Sequence, residues 1–356
     1  MNFELTEERR MLQDTLRRYL RAEYSTERRN AILDSDAGYD PEIWSGLAEL
    51  GVIGALFDEA QGGFGGAGFD IAVVFEELGR AGVVEPLLDS AVLAGRALAL
   101  AGRQDMVDAL IAGDLHLAFA QYEPGGRYDL DFVRTEASGG ALTGRKAVVM
   151  HAGAAQHLVV SARADSGIGL YLVAADAPGL DIRDYPLLAG GRAGEVVLDN
   201  TPAESLGLDI NAIHGLIHLA MVAQCAEALG AMETATALTQ DYLMTRKQFG
   251  RPIGTFQALA FRMADLLIEM EQARSAVINA AGMVGTASQD ITLAASKNLI
   301  GRVGRQVAEE AIQMHGGIAM TQEYELAHIA KRIVMADHRF GDTDYHLERF
   351  IALSAG

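Results

Sequence analysis

Apolar residues recur at helical spacing through the first third of the chain. Leu12, Leu16, Tyr19 and Leu20 share one face of a segment running from Thr6 to about Ile32, with Thr6 as the expected N-cap and Glu7 and Glu8 in the first turn. Asp40-Pro-Glu-Ile-Trp-Ser-Gly-Leu-Ala-Glu-Leu50 predicts a second helix, opened by Pro41 and stopped by Gly51. Asp70 begins a third, running through Phe75-Glu-Glu-Leu-Gly79, and two more segments lie near 87–102 and 104–113. The intervening Gln61-Gly-Gly-Phe-Gly-Gly-Ala-Gly68 reads as a flexible turn. It follows no predicted strand and lacks the lysine of a phosphate-binding loop.

The period shortens at Leu115. Short β-rich runs follow (Leu117–Gln121, Phe132–Glu136, Ala147–Met150, His157–Ala162, Gly169–Ala174, Gly194–Leu198), separated by Gly, Asp and Pro. From about Asp209 the helical period returns over 211–245, 256–284, 289–316 and 323–352. Leu259, Met263, Leu266, Leu267 and Met270 mark one expected buried stripe. Four long antiparallel segments predict a bundle. The fold class is therefore α+β: an all-α domain over 1–114, a β-domain over 115–204 and a C-terminal four-helix bundle over 205–356.

Charge and composition narrow the partners. With 29 Lys and Arg against 48 Asp and Glu the formal charge is −19, which repels phosphate backbones and anionic lipid heads, so neither nucleic acid nor membrane is an expected partner. The start at Met1 shows no basic stretch leading into an apolar one, and no run of about eighteen uncharged apolar residues is found, so a cytoplasmic protein is expected. The single cysteine, Cys225, excludes an intrachain disulfide and a thiolate zinc cluster, and its Ala-rich helical setting reads as core. His214 and His218 stand one turn apart, but no third ligand accompanies them and no metal site is expected.

Chemistry concentrates at the kinked junction Tyr242-Leu-Met-Thr-Arg-Lys-Gln-Phe-Gly-Arg-Pro-Ile-Gly-Thr-Phe-Gln257 between two long helices. Together with Gln313-Met-His-Gly-Gly317, and with Glu76-Glu-Leu-Gly79, Trp44 and Phe3-Glu-Leu-Thr-Glu as support, it makes the chain resemble the acyl-CoA dehydrogenase superfamily over essentially its whole length. The resemblance implies flavin adenine dinucleotide (FAD) bound at a subunit boundary. There the R-x-x-F-G arginine and the Q-x-x-G-G turn of one subunit meet the pyrophosphate and adenosine of the FAD held by its neighbour. A guanidinium pairs with pyrophosphate as a rigid fork, and adjacent glycines admit the backbone closely. The implied cofactor-binding residues are Arg246, Gln248, Phe249, Gln257, Gln313, Gly316, Gly317 and Thr343.

The same resemblance exposes what is missing. The family's base is a carboxylate that takes the α-proton of an acyl thioester while the β-hydrogen leaves as hydride. The matching stretch here, Phe340-Gly-Asp-Thr343, puts Gly341 at that position, and the alternative position on the preceding long helix is Ala220. Asp342 is the nearest substitute, but it is one residue out of register and one methylene short, and a misplacement of about 1 Å costs on the order of a hundredfold in rate. In the β-domain, Ala118-Phe-Ala-Gln-Tyr-Glu-Pro-Gly-Gly-Arg127 lacks the family's serine turn. In Gly144-Arg-Lys-Ala-Val-Val-Met-His151, Val148 and Met150 replace a tryptophan and a threonine that meet the flavin ring.

Features lent to a neighbour's FAD are kept and features needed for the chain's own reaction are gone. The expectation is a small or β-type subunit of a heteromeric acyl-CoA dehydrogenase, similar to those acting on steroid side-chain or pimeloyl-CoA-like dicarboxylic esters. It would pair with a homologous catalytic subunit as α2β2 and pass electrons to electron-transferring flavoprotein. The alternatives are a self-sufficient homomeric dehydrogenase or oxidase using Asp342, and a flavin-free scaffold or acyl-CoA-binding paralogue.

Overall fold

The computed structural model describes residues 5–355, so Phe3 of the N-terminal motif and the start at Met1 lie outside the described residues. Helices come first: α1 (Glu7–Glu23), α2 (Thr26–Leu33), α3 (Pro41–Glu49), α4 (Gly68–Ala81), a π-helical stretch (Leu88–Gly95) continuing into α5 (Arg96–Leu100), and α6 (Gln104–Ile111). Thr6 Oγ1 accepts from Arg9 N at 3.3 Å as the N-cap of α1, and Asp40 caps α3 with Pro41 behind it. The segment expected as one helix from Thr6 to Ile32 is two. Tyr24 leaves helical geometry (φ −111°, ψ 65°) while its N–H still bonds Leu20 O, and a new helix starts at Thr26.

The sheet follows: β1 (Leu117–Ala120), β2 (Glu136–Ser138), β3 (Ala141–Met150), β4 (His157–Ala164), β5 (Gly167–Ala174), β6 (Leu180–Pro186), β7 (Arg192–Pro202) and β8 (Glu204–Asp209). Its order is β6-β7-β3-β2-β4-β5-β8, with β1 parallel to β4. The strand expected over Phe132–Glu136 is displaced toward the C-terminus, because the Glu123 carboxylate takes the N–H groups of Arg134 (2.8 Å) and Thr135 (3.0 Å) away from any ladder.

The remainder is helical: α7 (Ile210–Thr245), a two-stranded hairpin of β9 (Lys247–Gln248) and β10 (Arg251–Pro252), α8 (Gln257–Met283), α9 (Gln289–His315), α10 (Glu325–Asp337) and α11 (Thr343–Ser354). The last segment, expected as one helix over 323–352, is divided by a loop over 338–342. On α8 the buried stripe is Met263, Leu266, Met270, Ala273 and Val277; Leu267, expected within it, is 47% exposed because it lies one position round the helix from Leu266. Among the described residues α7 is the one helix long and apolar enough to cross a bilayer, and 83% of that apolar window is buried inside the protein.

The chain forms two compact units. One gathers the chain up to Thr26, Gly68–Val83 and everything from Met221 onward; the other gathers Glu27–Ala67 and Val84–Ala220. In the first, α4 crosses α7 so closely that a Cβ on Gly79 would stand 1.9 Å from Glu227 O and one on Gly230 1.9 Å from Glu76 O, so only glycine fits on either side. Beside this crossing Arg17 of α1 forks onto Glu77 (2.6 and 2.8 Å), and Arg80 and Arg274 both engage Glu233. In the second unit the sheet's core is Ala118, Ala120, Leu142, Val149, Leu158, Val160, Val173, Val196 and Leu198, each at most 2% exposed.

Candidate functional site

Backbone hydrogen bonding continues one residue past α7, from Arg246 N to Tyr242 O (2.8 Å), and Ile253 N then bonds Arg246 O (2.8 Å) to close the hairpin at its base. Phe249 sits at the turn with φ 54° and is 91% exposed, its ring edge-on to Phe256 at 6.0 Å, while Arg251 covers Phe256 at 4.2 Å. An aromatic side chain held this far out of the protein in a left-handed turn is shaped to contact something beyond its own chain. Gln248 is exposed, and its side-chain amide donates to Lys247 O (2.9 Å); Gln257 is exposed at the first position of α8.

Arg246 is exposed and makes no side-chain hydrogen bond or ion pair among the described residues, although carboxylates outnumber cations 48 to 29 in this chain. Gln313 is exposed on the last turn of α9. The helix ends at Gly316 (φ 71°), whose N–H bonds Ile312 O, and an added Cβ at Gly316 or Gly317 would have no heavy atom within 4 Å. The turn's backbone is thus open to close approach. A free guanidinium and an uncovered Gly-Gly turn in the same unit suit an anionic diphosphate, so the residues present fit the pyrophosphate portion of FAD. The two motifs are brought together by a ring stack: Tyr242, one turn before Arg246, lies on His315 with centroids 4.5 Å apart and planes at 26°.

The base position is closed rather than merely empty. Gly341 is buried with φ 106°, and a Cβ there would stand 2.4 Å from His346 Nε2 and 2.5 Å from Tyr345 Cδ1. His346 is 1% exposed and donates Nε2–H to Phe340 O at 2.8 Å, which holds Phe340 at φ 59°. Asp342 is the N-cap of α11: its Oδ1 accepts from Tyr345 N at 2.9 Å. Thr343 Oγ1 donates to Asp337 Oδ1 (2.9 Å), Asn298 donates to Thr343 O (3.0 Å), and buried Lys297 caps the end of α10 through Ala336 O (3.0 Å). Gly301 of α9 lets the Asp337–Thr343 pair in, since a Cβ there would meet both side chains at 2.0 and 2.4 Å. Ala220, the other possible base position, is fully buried.

In the sheet unit the lysine of the G-x-K stretch is structural. Lys146 Nζ is buried against Glu123 Oε1 (2.7 Å), Ser161 Oγ (2.8 Å) and Gln121 O (3.3 Å). Burial pushes Lys146 down to about 8 against the pull of Glu123. Burial works against ionisation of Glu123 too, but its bonds to Lys146 and Thr135 hold the carboxyl below its ordinary value, so the pair is ionised at neutral pH. Val148 sits on a β-bulge at φ 53°, 53% exposed, its N–H on Glu195 at 3.3 Å. Left-handed geometry is a true outlier for a β-branched residue, yet neither Val148 nor half-buried Met150 offers a hydroxyl or ring N–H to a flavin edge. Where the resemblance expects a serine turn, Phe132 fills the space over Gly126, where a Cβ would stand 2.6 Å from its ring. These residues do not fit the isoalloxazine portion of FAD.

Several buried groups make stability depend on pH. Burial lowers His116 and His346 to about 4, so each contributes stability that is present above the ordinary histidine value and is lost as pH falls toward 4. Glu76 runs the other way: burial and then Glu233 raise it to about 7, so its contribution is present below the ordinary glutamate value and lost as pH rises through 7. Two histidines outweigh one glutamate, giving an expected net loss on the order of 1–2 kcal/mol between pH 7 and pH 5. Denaturant midpoints at the two pH values check this, and Glu76→Gln, which removes the opposing contribution, steepens the fall.

A helical front, a sheet and a helical bundle, carrying a projecting R-x-x-F-G hairpin beside a Q-x-x-G-G turn, define a flavin-dependent acyl-CoA oxidoreductase. Residues 6–112 match the family model for the acyl-CoA dehydrogenase N-terminal domain and residues 210–352 that for the acyl-CoA dehydrogenase C-terminal domain, and the chain belongs to the acyl-CoA dehydrogenase family. Its cofactor is FAD. The chain is 32% identical to acyl-CoA dehydrogenase IpdE2 of Mycolicibacterium smegmatis, over 92% of this chain and 93% of that protein. Among solved structures it is similar to the Tcur3481-Tcur3483 steroid ACAD G363A variant (TM-score 0.91, 31% identity, 98% of each chain covered). It is also similar to the ChsE4-ChsE5 complex from Mycobacterium tuberculosis (TM-score 0.91, 27% identity, 100% and 99% covered).

Proposed function

We propose that this chain is the non-catalytic subunit of a heteromeric, FAD-dependent acyl-CoA dehydrogenase. Its hairpin and Gly-Gly turn complete the FAD site of a homologous catalytic partner, which supplies the base and the isoalloxazine cradle. The observation that carries the reading is Gly341: the base position is a left-handed glycine whose side-chain space is taken by buried His346. Arg246 would hold the pyrophosphate as a charged fork, and Gln248, Phe249, Gln313 and the Gly316-Gly317 backbone would complete the site. Gln257 at the start of α8 and Thr343 at the start of α11 would belong to the same set. When bound, FAD supplies the hydride acceptor for α,β-desaturation of the thioester.

Each of the two similar solved structures pairs two proteins, Tcur3481 with Tcur3483 and ChsE4 with ChsE5, and the first is a steroid enzyme. They support the pairing of this chain with a homologous partner; the assembly we propose is α2β2 in the cytoplasm, acting on a steroid side-chain or dicarboxylic acyl-CoA ester and handing electrons to electron-transferring flavoprotein. The subunit follows the three-domain plan 1–114, 115–204 and 205–356.

Asp342 tests the reading against a self-sufficient enzyme. Asparagine caps helices about as well as aspartate, so Asp342→Asn should shift stability by only a few tenths of a kcal/mol, whereas Asp342→Ala should cost about 0.5–2 kcal/mol. Turnover by the purified complex should be unchanged in Asp342→Asn. A collapse of turnover with stability intact would make Asp342 the base and overturn the proposal.

A further inference from the structure

His315 lies within Gln313-Met-His-Gly-Gly317, at one of the two positions that the Q-x-x-G-G pattern leaves open. It is 4% exposed, and both ring nitrogens and one ring face have partners. Nδ1 lies 2.8 Å from Ala311 O, a carbonyl that can only accept, so Nδ1 carries the proton. Nε2 is therefore a lone pair, and it accepts the Tyr324 hydroxyl at 3.1 Å. The ring face stacks on Tyr242 at 4.5 Å. Burial lowers the ring's proton affinity against the opposing pull of the Ala311 and Leu238 carbonyls.

Each contact fixes a different piece of the proposed site. Tyr242 accepts the Arg246 N–H through its own carbonyl (2.8 Å), so the stack sets where the hairpin leaves α7. His315 and Tyr324 bracket the loop that contains Gly316 and Gly317, so their hydrogen bond closes that loop at both ends. The hairpin and the Gly-Gly turn have no other ring contact joining them among the described residues.

We propose that His315 is a positioning residue for FAD: by clasping Tyr242 and Tyr324 it fixes the arginine hairpin and the Gly-Gly turn in one mutual placement before the cofactor arrives. The inference rests on the reading that Arg246 and Gly316-Gly317 face FAD. It extends that reading to residues that touch no cofactor.

The test uses the purified complex with its partner. His315→Phe keeps a ring for the stack and removes both hydrogen bonds; Tyr324→Phe removes the hydroxyl alone and leaves the ring packing intact. FAD dissociation is followed by the fluorescence of released flavin, and thermal midpoints are measured on the flavin-free complex. Each variant should weaken FAD about three- to tenfold, the range of one or two net hydrogen bonds, with the flavin-free midpoint moved by only a few degrees. In combination with Arg246→Ala, His315→Phe should add little further weakening, because it acts through the placement of that arginine.

If His315→Phe does not fold, Tyr324→Phe carries the same prediction. Unchanged FAD dissociation in the variants, with Arg246→Ala still weakening it, would overturn the clasp and leave the reading of the site intact. Full additivity with Arg246→Ala would also overturn it. Unchanged dissociation in Arg246→Ala itself would instead sink the reading on which the clasp rests.

Discussion

Gly341→Glu is expected to destabilise the chain without creating a base. The position lies at φ 106°, which costs an L-residue about 1–2 kcal/mol, and its Cβ would stand 2.4 Å from a ring that is 1% exposed and hydrogen-bonded to Phe340 O. Forcing a side chain into such packing costs a further 1–3 kcal/mol or so, for a total of roughly 2–5 kcal/mol. The loop cannot swing aside cheaply. Asp342 ties it to α11, Lys297 and Asn298 tie it to α9, and Asp337 holds Thr343. Denaturation midpoints should fall accordingly, and flavin reduction by an acyl-CoA should not appear in the isolated chain. Gly341→Glu combined with His346→Ala should recover part of the lost stability, because the colliding ring is gone.

Arg246→Ala is expected to loosen FAD from the complex while leaving the fold alone. The guanidinium is exposed and has no partner among the described residues, so its removal breaks no bond among them. A hydrogen bond to a charged group contributes about 1.5–3 kcal/mol net, which corresponds to roughly ten- to a hundredfold weaker binding. Arg246→Lys should recover only part of this, since an ammonium is a point charge and cannot fork. Flavin retained after gel filtration and FAD titration of the stripped complex measure both.

How much of this was legible in the sequence depends on where each contact lies. α7, α8 and α9 end within a residue or so of the expected 211–245, 256–284 and 289–316, because long apolar periodicity is a local signal, as is Gly316 at the end of α9. β6 and β8 were not foreseen: most of their residues are exposed or half-exposed, so they carry no apolar run to read. The break at 338–342 was hidden for a different reason. Its cause is tertiary, in His346 and the caps from α9, and no spacing in the chain announces that His346 folds back onto Phe340.

The site divides the same way. Arg246, Phe249, Gln313, Gly316 and Gly317 form short motifs whose chemistry is visible in one dimension, and they lie exposed as a ligand-facing set should. His315 sat inside one of those motifs unremarked, and Tyr242 opened the other. Their one local hint was an aromatic placed a turn before the arginine and an imidazole beside the glycines. The G-x-K lysine conveyed a motif match but not its role, which only the buried Glu123 and Ser161 reveal.

The central claim is that this chain lends its FAD-binding arm to a partner and cannot oxidise an acyl-CoA alone. It is tested most directly by producing the chain by itself and with a homologous acyl-CoA dehydrogenase, then following the flavin absorbance on addition of acyl-CoA. The predicted result is a yellow complex whose flavin bleaches only when the partner is present and carries its carboxylate base. A yellow homomer of this chain alone, bleached by acyl-CoA, would contradict the account.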